Sequence, residues 1–289
     1  MKPGSFEYVK ADTVEAAIEA LQRFDGEARI LAGGQSLMPL LNMRMLRPAG
    51  LIDVNGISDL SGIRVEAGEV RVGALTRYVD IEQSPLIARH LPLVAHGIRK
   101  VADRQVRNRG TLGGSLCHAD PAAQMPLCAL TMDARLRLAG PDGLREVPAR
   151  AFFLGAYATA ADPLEILVDI IYPDAEGTLG TIAQQIRRHG DFPAVSIAAS
   201  ARPADDGRWV DWRIGACGLD DRAIRLDRTA AMLEGQRPDA EVIAAAAAAL
   251  LEDDIDPPED VRASAEYRRH LAPIYVARAV TALVEEARP

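Results

Sequence analysis

Ala32-Gly-Gly-Gln-Ser-Leu37 follows the apolar run Arg29–Ala32 and feeds a segment with Pro39 near its start, so it reads as strand, tight turn and helix in succession. Gly33 and Gly34 can take backbone angles closed to other residues and let a ligand approach the main chain. The amides that follow, together with the Ser36 hydroxyl, then converge on one spot suited to a phosphate. Charge-assisted hydrogen bonds contribute about 1.5 to 3 kcal/mol each, so three or four hold a pyrophosphate without a lysine. No lysine is present, which excludes a GxxxxGK[ST] loop, and the GxGxxG spacing of a Rossmann fingerprint is absent too. Taken alone, the segment is equally a plain tight connection.

A second stretch, RNRGTLGGSLCHADPAAQMP at Arg107 to Pro126, again sets two glycines beside a hydroxyl residue, with a proline and a helix following. We read Gly113-Gly114 as a second turn. Thr111 and Ser115 can donate to phosphate or sugar oxygens, and the glycines let the main chain approach a flat or elongated molecule. Asp120 either accepts from a sugar hydroxyl or caps the helix opening at Pro121. Two such loops suggest a clamp on one extended ligand.

Around these loops the chain alternates. A short extended piece at Phe6 to Val9, a helix from Asp12 with Glu15 completing a capping box, the strand Arg29 to Ala32, a helix around Pro39 to Met45 and the strand Leu51 to Val54 form a βαβ unit. Ile63 to Glu66 and Val70 to Gly73 predict a hairpin, and Tyr78 to Gln83, Leu91 to Val101 and Ala122 to Leu130 predict helices. Strands follow at Ala134 to Ala139, Leu144 to Pro148 and Glu165 to Ile171, and Pro173 to Gly177 reads as a linker. Beyond it, Thr181 to Arg188, Ala194 to Ala201 and Trp209 to Gly218 predict a three-stranded antiparallel sheet. Helices at Arg228 to Glu234, Glu241 to Glu252 and Ala263 to Glu286 complete a small, separate α+β domain.

The bulk numbers fit this plan. The chain has 289 residues, 48% of them hydrophobic and 26% charged, the composition of a globular protein of two domains. A net charge of -8 argues against a nucleic-acid surface. The N-terminus lacks the apolar core of a secretory signal, and no apolar run reaches the roughly eighteen residues of a membrane span, so the chain reads as cytoplasmic. Cys117, Cys128 and Cys217 are odd in number and form no CxxC pair, which supports neither a disulfide framework nor an iron-sulfur cluster.

AGGQSLMPLLNMR at Ala32 to Arg44, taken with Arg107 to Pro126, resembles the FAD-binding medium subunits of molybdenum hydroxylases, a group that includes the flavoprotein of aerobic carbon monoxide dehydrogenase and the FAD domain of xanthine dehydrogenase. The resemblance extends over essentially the whole chain: FFLG from Phe152, Pro163 to Pro173, and YRRHLA at Tyr267 to Ala272 all belong to it. It implies an α+β fold with a two-lobed FAD-binding domain of the PCMH type at residues 1–176, lobes about 1–56 and 57–176. A carbon monoxide dehydrogenase flavoprotein-like domain at 177–289 follows.

The same resemblance implies that Ala32, Gly33, Gly34, Gln35, Ser36 and Leu37 bind the pyrophosphate of a non-covalent FAD. Thr111, Gly114 and Ser115 line the flavin side, Val101 and Ala102 pass the cofactor, and Asp120 and Ala161 touch it. His118 packs near it, and Phe192 in HGDFP sits where an aromatic side chain can meet the ring system. The family often has an acid where this chain has Gln124, so a carboxylate contact is replaced by an amide one. Flavin converts between one-electron and two-electron carriers. Substrate is then oxidised at a molybdenum cofactor on a large subunit, electrons cross two two-iron two-sulfur clusters on a small one, and this chain passes them to an external acceptor. A dimer of heterotrimers is the expected assembly, with no catalytic acid, base or nucleophile here.

Other features weigh less. His118 and Asp120 offer too few ligands in one loop for a metal site. Arg104, Arg107 and Arg109, with the doublets Arg187-Arg188 and Arg268-Arg269, could balance FAD phosphates or meet an acidic partner surface, but read first as solvated faces. Trp209 and Trp212 read as domain packing. Two rival functions are a self-contained flavin oxidoreductase of related fold, which needs its own substrate pocket and acid-base residues, and a non-redox nucleotide-binding assembly protein.

Overall fold

Val14, Ala17, Ile18 and Leu21 recur at helical spacing, and the computed structural model, which describes residues 2–252 and 255–287, folds them into helix α1 (Val14–Arg23). Thr13, not Asp12, caps it: the extended Thr13 accepts from the Ala16 amide at 3.1 Å, while Asp12 pairs with Lys10 at 3.1 Å. Asp12 stands one residue too early for its oxygen to reach that amide, so no capping box forms with Glu15.

Strands β1 (Glu7–Lys10) and β2 (Arg29–Leu31) flank β3 (Gly50–Asp53), all parallel, with α2 (Leu37–Asn42) between β2 and β3. That is the expected βαβ lobe. Helix α2 starts two residues before Pro39, so the glycine loop runs into it directly.

The second lobe is a five-stranded antiparallel sheet wrapped by short helices. Its strands are β4 (Ile63–Glu66), β5 (Glu69–Gly73), β6 (Arg135–Gly140), β7 (Gly143–Pro148) and β10 (Ile166–Pro173), ordered β4-β5-β10-β6-β7. Between them lie α3 (Tyr78–Gln83), α4 (Pro85–His90), α5 (Pro92–Ile98), α6 (Arg104–Arg109), α7 (Leu112–His118), α8 (Gln124–Thr131) and α9 (Ala149–Phe152). A two-stranded hairpin of β8 (Phe153–Gly155) and β9 (Ala158–Thr159) follows α9.

Two readings are corrected here. Gly113-Gly114 is not a turn: both glycines lie in the first turn of α7, whose cap is Thr111. The arginines of α6 are not simply a solvated face, because Arg107 pairs with Glu82 at 3.0 Å and donates to the carbonyls of Val101 and Ala102. Arg268 is buried as well, donating to the Ala194 and Gly218 carbonyls and pairing with Asp260 at 2.7 Å.

The C-terminal sheet has four strands, not three. To β11 (Leu179–Gln185), β12 (Val195–Pro203) and β13 (Trp209–Cys217) it adds the two-residue β14 (Ile224–Arg225), too short to show a period in sequence. Helices α10 (Asp227–Leu233), α11 (Ala240–Ala249) and α12 (Ala265–Glu286) cover one face, burying Trp209, Trp212, Leu271 and Val276 together. The other face shares the second lobe's core, where Ile182, Ala198 and Cys217 join Leu93, Leu127 and Cys128.

The two parts therefore share one core, while the C-terminal sheet and its helices keep a second of their own. The Ile182 amide donates to His96 Nδ1 of α5 at 2.9 Å, and Gly97 lets Cys128 approach closely, since an added Cβ there would lie 2.6 Å from its sulfur. The expected linker is also tied down. Asp174 accepts from His90 at 3.0 Å, and the Ala175 amide donates to the His90 carbonyl.

Candidate functional site: a cleft between the lobes

A cavity of about 820 Å³ opens between the first lobe, the second lobe and the edge of the C-terminal part. That volume falls in the upper range of small-molecule sites, which run to about 1,000 Å³. Every one of the sixteen residues singled out in the sequence lies on its wall, from Ala32 to Phe192.

The first glycine loop reaches this wall because side chains strap its ends. Asn55, just past β3, donates through Nδ2 to the carbonyls of Leu31 at 3.2 Å and Ala32 at 3.0 Å. Arg77 donates to Asn55 Oδ1 at 2.5 Å and to the carbonyl of Arg109, and so ties the first loop to the second across the lobe boundary. Burial, with Arg109 nearby, lowers the Arg77 pKa, yet a guanidinium remains charged at any ordinary pH.

The loops meet at Gly33, where an added Cβ would overlap the Arg109 carbonyl and lie 2.9 Å from Gly110 Cα. Gly33 is thus needed for loop-to-loop contact, a different reason from ligand approach. Gly34 takes φ +71°, the left-handed turn that aims the following amides. Among the described residues, no protein group accepts from the amides of Gly33, Gly34, Gln35 or Ser36, and the Ser36 hydroxyl makes no capping bond to α2. Gly33 and Gly34 are half-buried and Gln35 and Ser36 exposed, so the loop keeps four donors that no protein group takes, just before a helix, where an anion can accept them.

The second loop offers something else. Its Gly113 amide donates to the Ala74 carbonyl at 2.8 Å, and its Gly114 amide to Thr111 Oγ1 at 3.2 Å. What it presents to the cleft is side chains and a close-packed backbone. Burial pushes the Tyr78 phenol up to about 12, partly opposed by a hydrogen bond from Ser115, so the Ser115 hydroxyl is shared with a neutral phenol.

At the far end, His118 stacks at a tilt on Tyr157, ring centroids 5.1 Å apart, and burial lowers its pKa despite the opposing pull of Asp120. Asp120 is buried. Its Oδ1 accepts from the Ala122 amide at 2.9 Å and its Oδ2 from the Tyr157 hydroxyl at 3.1 Å. It closes a local turn; the cap position of α8 is Ala123. Gln124 is buried and donates to Gln184 of β11 at 3.1 Å. Phe192 is exposed, with the Arg262 guanidinium 5.4 Å over its ring. Val101 and Ala102 lead into α6, with Ala102 at φ +41° and its carbonyl on Arg107, and Ala161 follows the β8–β9 hairpin.

Sequence reasoning missed Tyr157, Thr159, Cys117 and Asp191, which share the wall. Gly190 and Asp191 adjoin Phe192 in the HGDFP segment already noted, and Cys117 precedes His118, so proximity to a marked residue was the available signal. For Tyr157 there was none.

Comparison with known proteins follows the same division. Residues 4–175 match the family described as FAD binding domain in molybdopterin dehydrogenase, and residues 181–283 match the CO dehydrogenase flavoprotein C-terminal domain. The chain belongs to this family. Within it, the chain is 37% identical to the 6-hydroxypseudooxynicotine dehydrogenase complex subunit alpha of Paenarthrobacter nicotinovorans, covering 100% of this chain and 98% of that one. It is also 37% identical to the carbon monoxide dehydrogenase medium chain of Hydrogenophaga pseudoflava, over 98% of both.

Among solved structures of the family, the carbon monoxide dehydrogenase of Hydrogenophaga pseudoflava lacking the Mo-pyranopterin moiety superposes with a TM-score of 0.94 at 36% identity, covering 100% of both chains. Quinoline 2-oxidoreductase from Pseudomonas putida 86 gives 0.93 at 34%, covering 99% of both. This is therefore a medium, FAD-binding subunit of the molybdenum hydroxylase type, the flavoprotein component of an oxidoreductase. Among the described residues, no helix is long and apolar enough to cross a membrane.

Proposed function

We propose that the cleft holds FAD without a covalent bond, and that the chain relays electrons from two-iron two-sulfur clusters on a small partner subunit to an external acceptor. The oxidation that supplies them takes place at a molybdenum cofactor on a large subunit, and the three chains assemble as a dimer of heterotrimers in the cytoplasm. The observation that carries the cofactor assignment is the run of four unpartnered amides at Gly33 to Ser36, in a loop that lines a cavity large enough for a dinucleotide. Bound flavin accepts electrons one or two at a time and so joins one-electron carriers to two-electron acceptors.

The protein's part is to bind and orient. The Ala32–Leu37 loop would hold the pyrophosphate through main-chain donors, with Arg77 and Asn55 fixing its position. Thr111, Gly114 and Ser115 would border the flavin side, with Val101, Ala102, His118, Asp120, Gln124, Ala161 and Phe192 completing the wall. His118, kept neutral by burial, brings no positive charge to the cavity at neutral pH.

Ser36→Asp tests the assignment. Ser36 is exposed and starts α2, where an aspartate is a good cap, so the fold tolerates it. Its carboxylate would face the bound phosphates and should weaken FAD on the order of a hundredfold or more. Purified complex should show flavin absorption bands for the wild type and for Ser36→Asn, and an essentially colourless protein for Ser36→Asp. Full flavin occupancy in Ser36→Asp contradicts the reading.

A further inference from the structure

Tyr157 is the second turn residue of the β8–β9 hairpin, where Gly155 pairs with Ala158. It holds φ +58°, the left-handed region that such a turn asks of its second central residue and that glycine or asparagine fills without strain. A tyrosine there is costly, and residues held in such strain persist where the surroundings over-determine them, most often at binding sites.

The surroundings do over-determine it. The Tyr157 amide donates to the Ala119 carbonyl at 3.0 Å, Ala119 is itself left-handed at φ +50°, and the phenol is anchored on buried Asp120. One side of the ring leans on His118. The residue is nonetheless 60% exposed, on the cleft wall. An aromatic ring fixed at three points and left uncovered is not core packing. Across the same wall stands the exposed Phe192, and Arg262, which lies over the Phe192 ring, also acts electrostatically on Tyr157.

We infer that Tyr157 is a preformed aromatic contact for a flat ring of the bound FAD, and that Asp120 is a positioning residue that fixes its phenol. This rests on the cleft being the FAD site. Both Asp120 oxygens already accept protein donors, which fits positioning better than a direct sugar contact. The hairpin thus spends its turn position on a ligand contact.

The test titrates FAD into the deflavinated full chain and its variants, following flavin fluorescence, and separately melts each without FAD. Tyr157→Gly relieves the left-handed strain and removes the ring. We expect its FAD dissociation constant to rise on the order of tenfold, the size of one aromatic contact, with less quenching of bound-flavin fluorescence. Its unliganded melting temperature should not fall. Tyr157→Phe keeps the ring but loses the anchor, and Asp120→Ala should match it, both with a smaller weakening. An unchanged dissociation constant for Tyr157→Gly overturns the inference, whatever its melting temperature. If Ser36→Asp expels FAD while Tyr157→Gly retains full affinity, the cleft assignment stands and Tyr157 does not take part. If neither variant affects FAD, both fail.

Discussion

Gly33-Gly34 and Gly113-Gly114 are both glycine pairs with a hydroxyl residue close behind, and in sequence they look like two copies of one device. In the fold they divide the labour. The first pair sits in an open loop with one left-handed glycine and amides that find no protein acceptor. The second sits inside a capped helix, its amides already bonded to Ala74 and Thr111, and its glycines serve packing: an added Cβ on Gly113 would lie 2.6 Å from Ala74 Cβ, and one on Gly114 2.7 Å from Thr111 Oγ1. One loop donates hydrogen bonds and the other builds the wall behind them. A glycine pair therefore reports a close approach without saying whether ligand or protein makes it.

The sharpest way to break this comparison is Gly33→Ala. Its Cβ meets backbone, which cannot rotate away, so the loops must part. We expect a loss of about 3 kcal/mol or more in stability together with loss of flavin. Gly34→Ala meets only side chains of Met38 and Leu31 at 3.3 and 3.4 Å and should cost about 1 kcal/mol through its φ alone. Thermal melts of the two variants side by side measure the difference; equal losses would mean that loop contact at Gly33 is unimportant.

Acid separates the loops in a second way. His96 of α5 accepts the Ile182 amide, and burial, reinforced by Lys100 and Arg99, depresses its pKa from 6.5 to about 4. The folded chain thus binds fewer protons than the unfolded one between those values. Stability is full above pH 6.5 and falls as pH drops toward 4, by about 2 kcal/mol once partial solvent screening is allowed for. Helix α5 backs α8, which continues the second loop, whereas all five histidines lie outside the first lobe. Hydrogen exchange at pH 5 should loosen residues 92–131 before residues 29–54. His96→Gln, uncharged at every pH, should flatten that dependence.

A smaller effect is expected where the loops are strapped together. Arg77→Met removes the donors to Asn55 and to the Arg109 carbonyl but keeps much of the side-chain bulk. Both acceptors remain within reach of water, so stability should fall by only about 1 kcal/mol. FAD affinity should drop more than that, because the strap sets the spacing of the loops. A variant that loses stability without losing affinity would show that the loops keep their spacing unaided.

Much of this site was legible because it is local. AGGQSL and TLGGSLCHAD carry their glycines and hydroxyls within a few residues, and all sixteen marked positions reach the cleft. The rest depends on partners distant in sequence. Asn55 and Arg77 are 22 residues apart and meet only once the lobes close. Tyr157 contradicts its local turn preference and is held by Asp120, 37 residues away. The helical state of Gly113-Gly114 overrides glycine's low helix propensity because Thr111 caps the turn and Ala74 leaves no room for a side chain. The joined cores of the second lobe and the C-terminal sheet were hidden because each strand's alternation tells which face is buried and not against what.

The weakest predicted effect concerns Gln124. Gln124 is buried at the start of α8 and donates to Gln184. In Gln124→Glu the donor is lost, but Gln184 can turn its amide to donate instead, since its two ends are nearly equal in shape. The hydrogen bond survives with its direction reversed, and the remaining cost is burial of a carboxyl. Burial raises a carboxyl pKa, so the folded variant binds more protons than the unfolded one above the ordinary glutamate range. Its stability relative to the wild type should therefore fall as pH rises through that raised pKa, by less than about 1 kcal/mol if the Gln184 amide turns. FAD affinity at pH 6 should stay close to that of the wild type. A large loss of flavin at that pH would mean that the neutral amide itself contacts the cofactor, and that the second loop, too, contributes a donor.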